Sequence, residues 1–175
     1  MIKRRKDGGF TLIELMIVIA VIGILAIVLV PKMAGIKTGA KNVGVVTNVK
    51  SVQAYATANI DKWITGKKSE SDVEKEIYAQ YNGKVNDTTD DDNALQNPFS
   101  GKILVTSVIT NAVTDNATLA TDGALVILSD ADLSTTNDAK GSVVVNIKDF
   151  ATKGIQIAGY DQDGKIVDSV IKIKP

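Results

Sequence analysis

A single carboxylate, Glu14, stands in the apolar stretch Phe10–Val30, four residues after Phe10 and three after Thr11. Ahead of that stretch lie Gly8-Gly9 and the basic cluster Lys3-Arg4-Arg5-Lys6. A carboxylate in hydrocarbon is costly, on the order of 2.5–3.5 kcal/mol for an Asp at the centre of a spanning helix. A charge kept in such a place calls for a partner, so the chemistry at issue is pairing with a cation. Thr11 is the other polar side chain here, and it can either back-bond to a nearby carbonyl or contact another chain. The chain has no His and no Cys. That excludes thiol nucleophiles, Ser-His and Cys-His pairs and His-held metals, and it leaves the fold without disulfides. Only carboxylates, Lys and Tyr remain for catalysis, so the chain reads as a non-enzyme with no catalytic residues, no metal site and no cofactor.

The element that must position Glu14 is a helix. The 21 residues Phe10–Val30 carry one charge, and as a helix they reach roughly 31 Å, the thickness of a bilayer hydrocarbon core. Residues 1–9 hold four basic side chains and one Asp, against 16 basic and 19 acidic in the rest. The basic cluster predicts a single-pass span with its N-terminus inside the cytoplasmic membrane and the body outside. The acidic balance of the body argues against a nucleic-acid partner. A conventional secretory signal has a shorter apolar run, and a cut at Ala34 would place Lys32 at the small-residue position. Arg4-Arg5 is similar to a twin-arginine signal, but Lys6-Asp7-Gly8-Gly9 follows where apolar residues are expected. A plain signal anchor leaves Gly8-Gly9 and Glu14 unexplained.

The run Lys3-Arg4-Arg5-Lys6-Asp7-Gly8-Gly9, followed by Phe10-Thr11-Leu12-Ile13-Glu14-Leu15, resembles the class III signal and N-terminal helix of type IV pilins, over about residues 3–40. The resemblance implies cleavage between Gly9 and Phe10 by prepilin peptidase, a membrane aspartyl enzyme that also N-methylates Phe10. It implies that Phe10 and Glu14 act in subunit assembly, and that Gly23 and Pro31 correspond to a family glycine and a helix-bending proline. A pilus assembly platform and motor ATPase are the implied partners, with the chain itself as homopolymer. Physically, cleavage exposes an amine at Phe10, and Glu14 is one helical turn away. The pair can form within one helix or between neighbouring helices, where losing one partner of a buried pair costs roughly 3–5 kcal/mol. Pro31 removes a backbone donor and crowds the preceding turn, so the stretch from Gly23 to Gly35 reads as a weak point.

Beyond the span the helical pattern continues. Val45, Val49, Val52, Ala56, Ile60 and Trp63 share one face, and Gly66 reads as the stop. Glycines 35, 39 and 44 mark either close helix approaches in a filament or weak helix. Ser71-Asp72-Val73-Glu74 fits a capping box for a second helix to about Tyr81, with Val73, Ile77, Tyr78 and Tyr81 on its apolar face. Asp87, Asp90, Asp91 and Asp92 read as a solvated loop rather than a calcium site, lacking regular ligand spacing. Asn97-Pro98 reads as a turn and is similar to one between loop and sheet in pilins and pseudopilins. Strands are expected at Lys102–Ile109, Ala124–Leu128, Val143–Ile147, Ile155–Tyr160 and Lys165–Lys172, with Asp161-Gln162-Asp163-Gly164 as a hairpin turn. Sequons at Asn86 and Asn116 read as chance matches.

These elements predict an α+β fold, a long N-terminal helix packed on an antiparallel sheet of four to five strands. The expected divisions are 1–9 leader, 10–30 membrane and filament-core helix, 31–66 amphipathic continuation, 67–101 loop with a short helix, and 102–175 sheet. The function expected is a major type IV pilin: a membrane-stored precursor, then a filament subunit on the cell surface serving adhesion, twitching motility or biofilm formation. A minor pilin, or a pseudopilin of type II secretion or DNA uptake, is the alternative. A membrane-anchored enzyme or binding domain is disfavoured, because no catalytic set or phosphate loop is present.

Overall fold

The computed structural model describes residues 10–81, 94–103, 105–108, 123–128, 133 and 139–175. The Asp87–Asp92 loop, both sequons and Gly9 lie outside these residues. The first helix, α1 (Leu12–Thr65), is followed by α2 (Glu70–Tyr81), strands β1 (Val105–Val108), β2 (Leu125–Leu128) and β3 (Val143–Asn146), a single turn α3 (Phe150–Lys153), and strands β4 (Ile155–Gly159) and β5 (Ile171–Ile173). The chain divides into two units, Met1–Gly39 and Ala40–Pro175.

In the first unit, α1 passes through Gly23 and Pro31 with helix on both sides of each. Its large apolar side chains are exposed. A helix that is hydrophobic all round and has no core to bury against needs either lipid or other helices around it.

The second unit is built on the apolar face that the spacing of α1 dictates. Val45, Val49, Val52, Ala56, Ile60 and Trp63 are buried. All of these but Val45 share one cluster with Leu125, Ile127, Val143, Val145, Ile155, Ile157 and Ile173 from alternate strand positions. The intervening residues Val126, Leu128, Val144 and Ala158 form a second cluster on the other sheet face, with Ala139 and Tyr160, and Leu133, Ile166 and Val170 packed against it. Both faces of the sheet are therefore covered, which explains why Leu125–Leu128 and Val143–Val145 are apolar at every position rather than at every second one.

The five strands lie in the order β1-β2-β3-β4-β5. The pairings β3–β4 and β4–β5 are antiparallel, but β1–β2 and β2–β3 are parallel. The expected antiparallel sheet is thus corrected to a mixed one. Parallel neighbours need a crossover of a dozen or more residues, and the connections 109–124 and 129–142 are long enough to supply it. The fifth strand is also corrected. After the Asp161–Gly164 turn, Ile166 forms only an isolated bridge to Tyr160, and ladder pairing resumes at Ile171–Ile173. In that turn the Asp161 carboxylate accepts the N–H groups of Asp163 and Lys165 at 2.8 and 2.9 Å, an Asx turn that occupies the acid locally.

Two close approaches set how α1 lies on the sheet. A Cβ at Gly159 would come within 2.6 Å of Val45 Cγ1 and 2.8 Å of Val49 Cγ2. A Cβ at Gly44 would come within 2.8 Å of Pro98 Cγ. Gly44 is therefore a close-approach glycine inside the subunit, whereas Gly35 and Gly39 have open space around them.

The ends of the helices differ from expectation. α1 closes in a Schellman motif, with Lys68 N–H bonded to Trp63 O and Lys67 N–H to Ile64 O, both at 3.0 Å. The residue in the left-handed position is Lys67, at φ 48°, and not Gly66. The capping box of α2 is Ser69–Asp72, two residues before the expected one. Ser69 Oγ and N both donate to Asp72 Oδ2, and Asp72 N–H donates back to Ser69 Oγ. The physical reason is burial: Glu74 turns into the packed side of α2 with Val73, Ile77 and Tyr81, leaving Asp72 as the exposed acid in the first turn. The bonds from Ser69 hold the Asp72 carboxyl below its ordinary value.

Candidate functional site: the N-terminal end of the apolar helix

The start of α1 places Thr11 immediately before the first helical residue and Glu14 at its third. Thr11 N–H donates to Glu14 Oε2 at 2.8 Å, and Thr11 Oγ1 donates to the same oxygen at 2.7 Å. Glu14 N–H lies 3.3 Å from Thr11 Oγ1 and completes a reciprocal capping box. The two polar side chains of the apolar stretch therefore satisfy each other and two of the open N–H groups of the first turn, those of Thr11 and Glu14. Thr11 uses its hydroxyl as a cap, a role that neither of its two sequence readings named. Its signal was present in the sequence as Thr-x-x-Glu ahead of an apolar run.

The geometry softens the cost of the carboxylate in two ways. The negative charge sits in the first turn, where the helix macrodipole is positive. Two donors also replace part of the water a carboxylate would lose in lipid. Both bonds fall on Oε2, and no donor among the described residues reaches Oε1. One oxygen is committed to the helix, and the other leaves room for a further donor. Phe10 is 87% exposed and Ile13 66%, so this end is open to a neighbour.

Of the residues singled out by sequence, Glu14 is brought together with Thr11 rather than with Phe10. Gly23 and Pro31 lie farther along the same helix, with open space at Gly23, and take no part in the polar cluster. Among the described residues no group of acidic side chains is arranged to hold a metal.

The second unit holds polar clusters that sequence reading missed, and these are committed to the fold. Asn97 is fully buried. Its Nδ2 donates to Gly123 O and Lys140 O, each at 2.8 Å. Its Oδ1 accepts from Phe99 N–H at 2.8 Å and Ser100 N–H at 3.2 Å. One amide thus joins the Asn97–Gly101 turn to the entries of β2 and β3. At the far end of α1, Trp63 Nε1 donates to Glu76 Oε2 at 2.6 Å, and the other oxygen of Glu76 pairs with Lys68. A groove of about 460 Å³ lies beside α1 and α2, with Ser51, Tyr55 and Tyr81 in its wall. Its hydroxyls are already bonded, Tyr81 to Ser51 O at 3.0 Å and Tyr55 to Glu76 O at 3.4 Å. Burial pushes both tyrosines above the ordinary value, and for Tyr55 the neighbouring Tyr81 adds to it.

Residues 4–30 match the family model of the prokaryotic N-terminal methylation motif. The chain carries a type IV pilin-like prepilin signal, with which the long apolar helix is consistent. The motif points to a structural subunit of the type IV pilin or pseudopilin kind, processed by prepilin peptidase. Motif and helix together fit a membrane-anchored precursor and a surface pilus. No curated protein and no solved structure matches the chain.

Proposed function

We propose that the chain is the major subunit of a type IV pilus, stored in the cytoplasmic membrane with its N-terminus inside and polymerised through α1. The observation that carries this reading is an exposed apolar stretch of helix, Phe10–Val30, inside a methylation motif, whose one carboxylate is held at its N-terminal end with an oxygen to spare. Prepilin peptidase hydrolyses the Gly9–Phe10 peptide. Water supplies a carboxylate to Gly9 and a protonated amine to Phe10, and methylation replaces one N–H hydrogen without removing the positive charge. That amine is the external donor for Glu14 Oε1 of an adjacent subunit, while Thr11 keeps Oε2. Leaving lipid for a bundle of like helices then exchanges one apolar solvent for another and pairs the buried acid. Gly23 and Pro31 supply the place where the helix can bend as it packs. The assembly platform and motor ATPase drive the exchange, and adhesion, motility and biofilm formation are properties of the resulting fibre.

Two measurements test the proposal. Mass spectrometry of sheared surface filaments is expected to find this chain as the dominant component, beginning at N-methylated Phe10. Its absence from them would assign the chain to a minor pilin or a pseudopilin fibre instead. Glu14→Ala is expected to leave the protein in the membrane, processed but unpolymerised, and normal filament yield from that variant would refute the pairing.

A further inference from the structure

From Leu15 to Ile60 the sequence holds four lysines (Lys32, Lys37, Lys41 and Lys50) and no acidic residue. Two of them follow directly on the apolar stretch. Along a helix Lys32 lies about 3 Å and Lys37 about 10 Å beyond Val30, and the headgroup layer is about 5–7 Å deep. Helical side chains lean toward the N-terminus, and a lysine stem lies readily along apolar surface while its ammonium seeks polar partners. The Lys37 ammonium therefore reaches back to the same layer that Lys32 occupies. Both residues are exposed, and they stand about 140° apart around the axis, so they face different lipids. Lys41 differs from them. It is half-buried, donates to Phe99 O at 3.3 Å and lies 5.1 Å over the Phe99 ring.

We infer that Lys32 and Lys37 each dock an anionic phospholipid headgroup in the leaflet at the C-terminal end of the span. This rests on the membrane-stored precursor proposed above and adds a function to the stored state. Once the leader is removed, Lys3, Arg4, Arg5 and Lys6 are gone, and these two lysines are the remaining side-chain cations within ten residues of either end of Phe10–Val30. They fix the depth of the mature subunit and give the reservoir a preference for anionic lipid. With no carboxylate nearby in the chain to compete, the phosphate is the available counter-charge.

The test uses the chain purified from cells carrying prepilin peptidase, its N-terminus read by mass spectrometry, and reconstituted in phosphatidylcholine vesicles. Trace spin-labelled phosphatidylglycerol or spin-labelled phosphatidylcholine reports the fraction of lipid immobilised on the protein. The native chain is expected to favour the anionic label. Lys32→Gln and Lys37→Gln are each expected to lower that preference about fivefold, and the double variant to abolish most of it, whereas Lys172→Gln in the sheet leaves it unchanged. Immobilised lipid with a preference that the double variant retains, or that Lys172→Gln removes equally, overturns the inference while leaving the membrane reading standing. A chain that immobilises no lipid overturns both. An uncut N-terminus refutes the cleavage step, and the comparison between lysine variants is then made with the leader equal in all of them.

Discussion

Replacing Asn97 with Ala removes four hydrogen bonds at a fully buried position. Each is worth a net of about 1 kcal/mol, and a buried group left unpaired costs about 1–3 kcal/mol. Lys140 O and the amides of Phe99 and Ser100 lose this partner together, while Gly123 O keeps the Ser142 hydroxyl as a donor. Partial entry of water recovers some of this, so the expected loss is about 3–5 kcal/mol against a total stability of roughly 5–15 kcal/mol. Trp63, the chain's single tryptophan, is fully buried in the cluster joining α1 to the sheet, and its fluorescence follows unfolding of that unit. Guanidinium titration of the detergent-solubilised chain should show the midpoint falling with little change in slope. Asn97→Asp is the informative companion. It keeps acceptors for Phe99 and Ser100 but aims a charge at two carbonyl oxygens, so it should be destabilised at neutral pH and partly recover in acid as the carboxyl regains a donor. A loss below about 1 kcal/mol in Asn97→Ala would show that the amide is not the joint between the turn and the sheet.

Other perturbations follow from single contacts. Lys67→Gly should stabilise the body by about 1 kcal/mol, because it relieves a non-glycine residue from the left-handed position that ends α1; an unchanged guanidinium midpoint would refute this. Gly159→Ala should cost about 1–3 kcal/mol, since the new Cβ falls on Val45 and Val49 and α1 must move off β4; thermal unfolding checks it. Tyr55 and Tyr81 are raised above 10.0 in the folded chain by burial. A raised folded value means that their contribution is fully present below the unfolded value and is lost as pH rises through the folded one. Stability should therefore fall in alkali above about pH 10, with two tyrosines ionising late by ultraviolet absorbance, and Tyr81→Phe should shrink the fall. With no His or Cys, stability should stay level across the neutral range, where the ordinary side chains that remain do not titrate.

What the sequence determined by itself was local or periodic. The apolar length of Phe10–Val30, the single acid at Glu14 and the glycines before Phe10 carry the processing and assembly reading, because a bilayer and a peptidase both read a linear segment. The face from Val45 to Trp63 follows from helical spacing alone. The positions of β2, β3 and β4 follow from runs of Val and Ile between turn residues. Tertiary structure decided what spacing leaves degenerate. Parallel against antiparallel pairing of β1, β2 and β3 depends on where the chain between them travels, although the all-apolar runs Leu125–Leu128 and Val143–Val145 already marked strands covered on both faces. The choice of Ser69 over Ser71 as cap depended on which acid of α2 the core would bury. Lys67 took the position offered by Gly66 because Lys68 N–H closes back on Trp63, a residue fixed by packing rather than by its neighbours. Asn97 looked like one residue of a turn, and only the arrival of Gly123 and Lys140 beside it made it a joint. Local chemistry is written in the chain order, while contacts between distant segments exist only once the hydrophobic faces have chosen their partners.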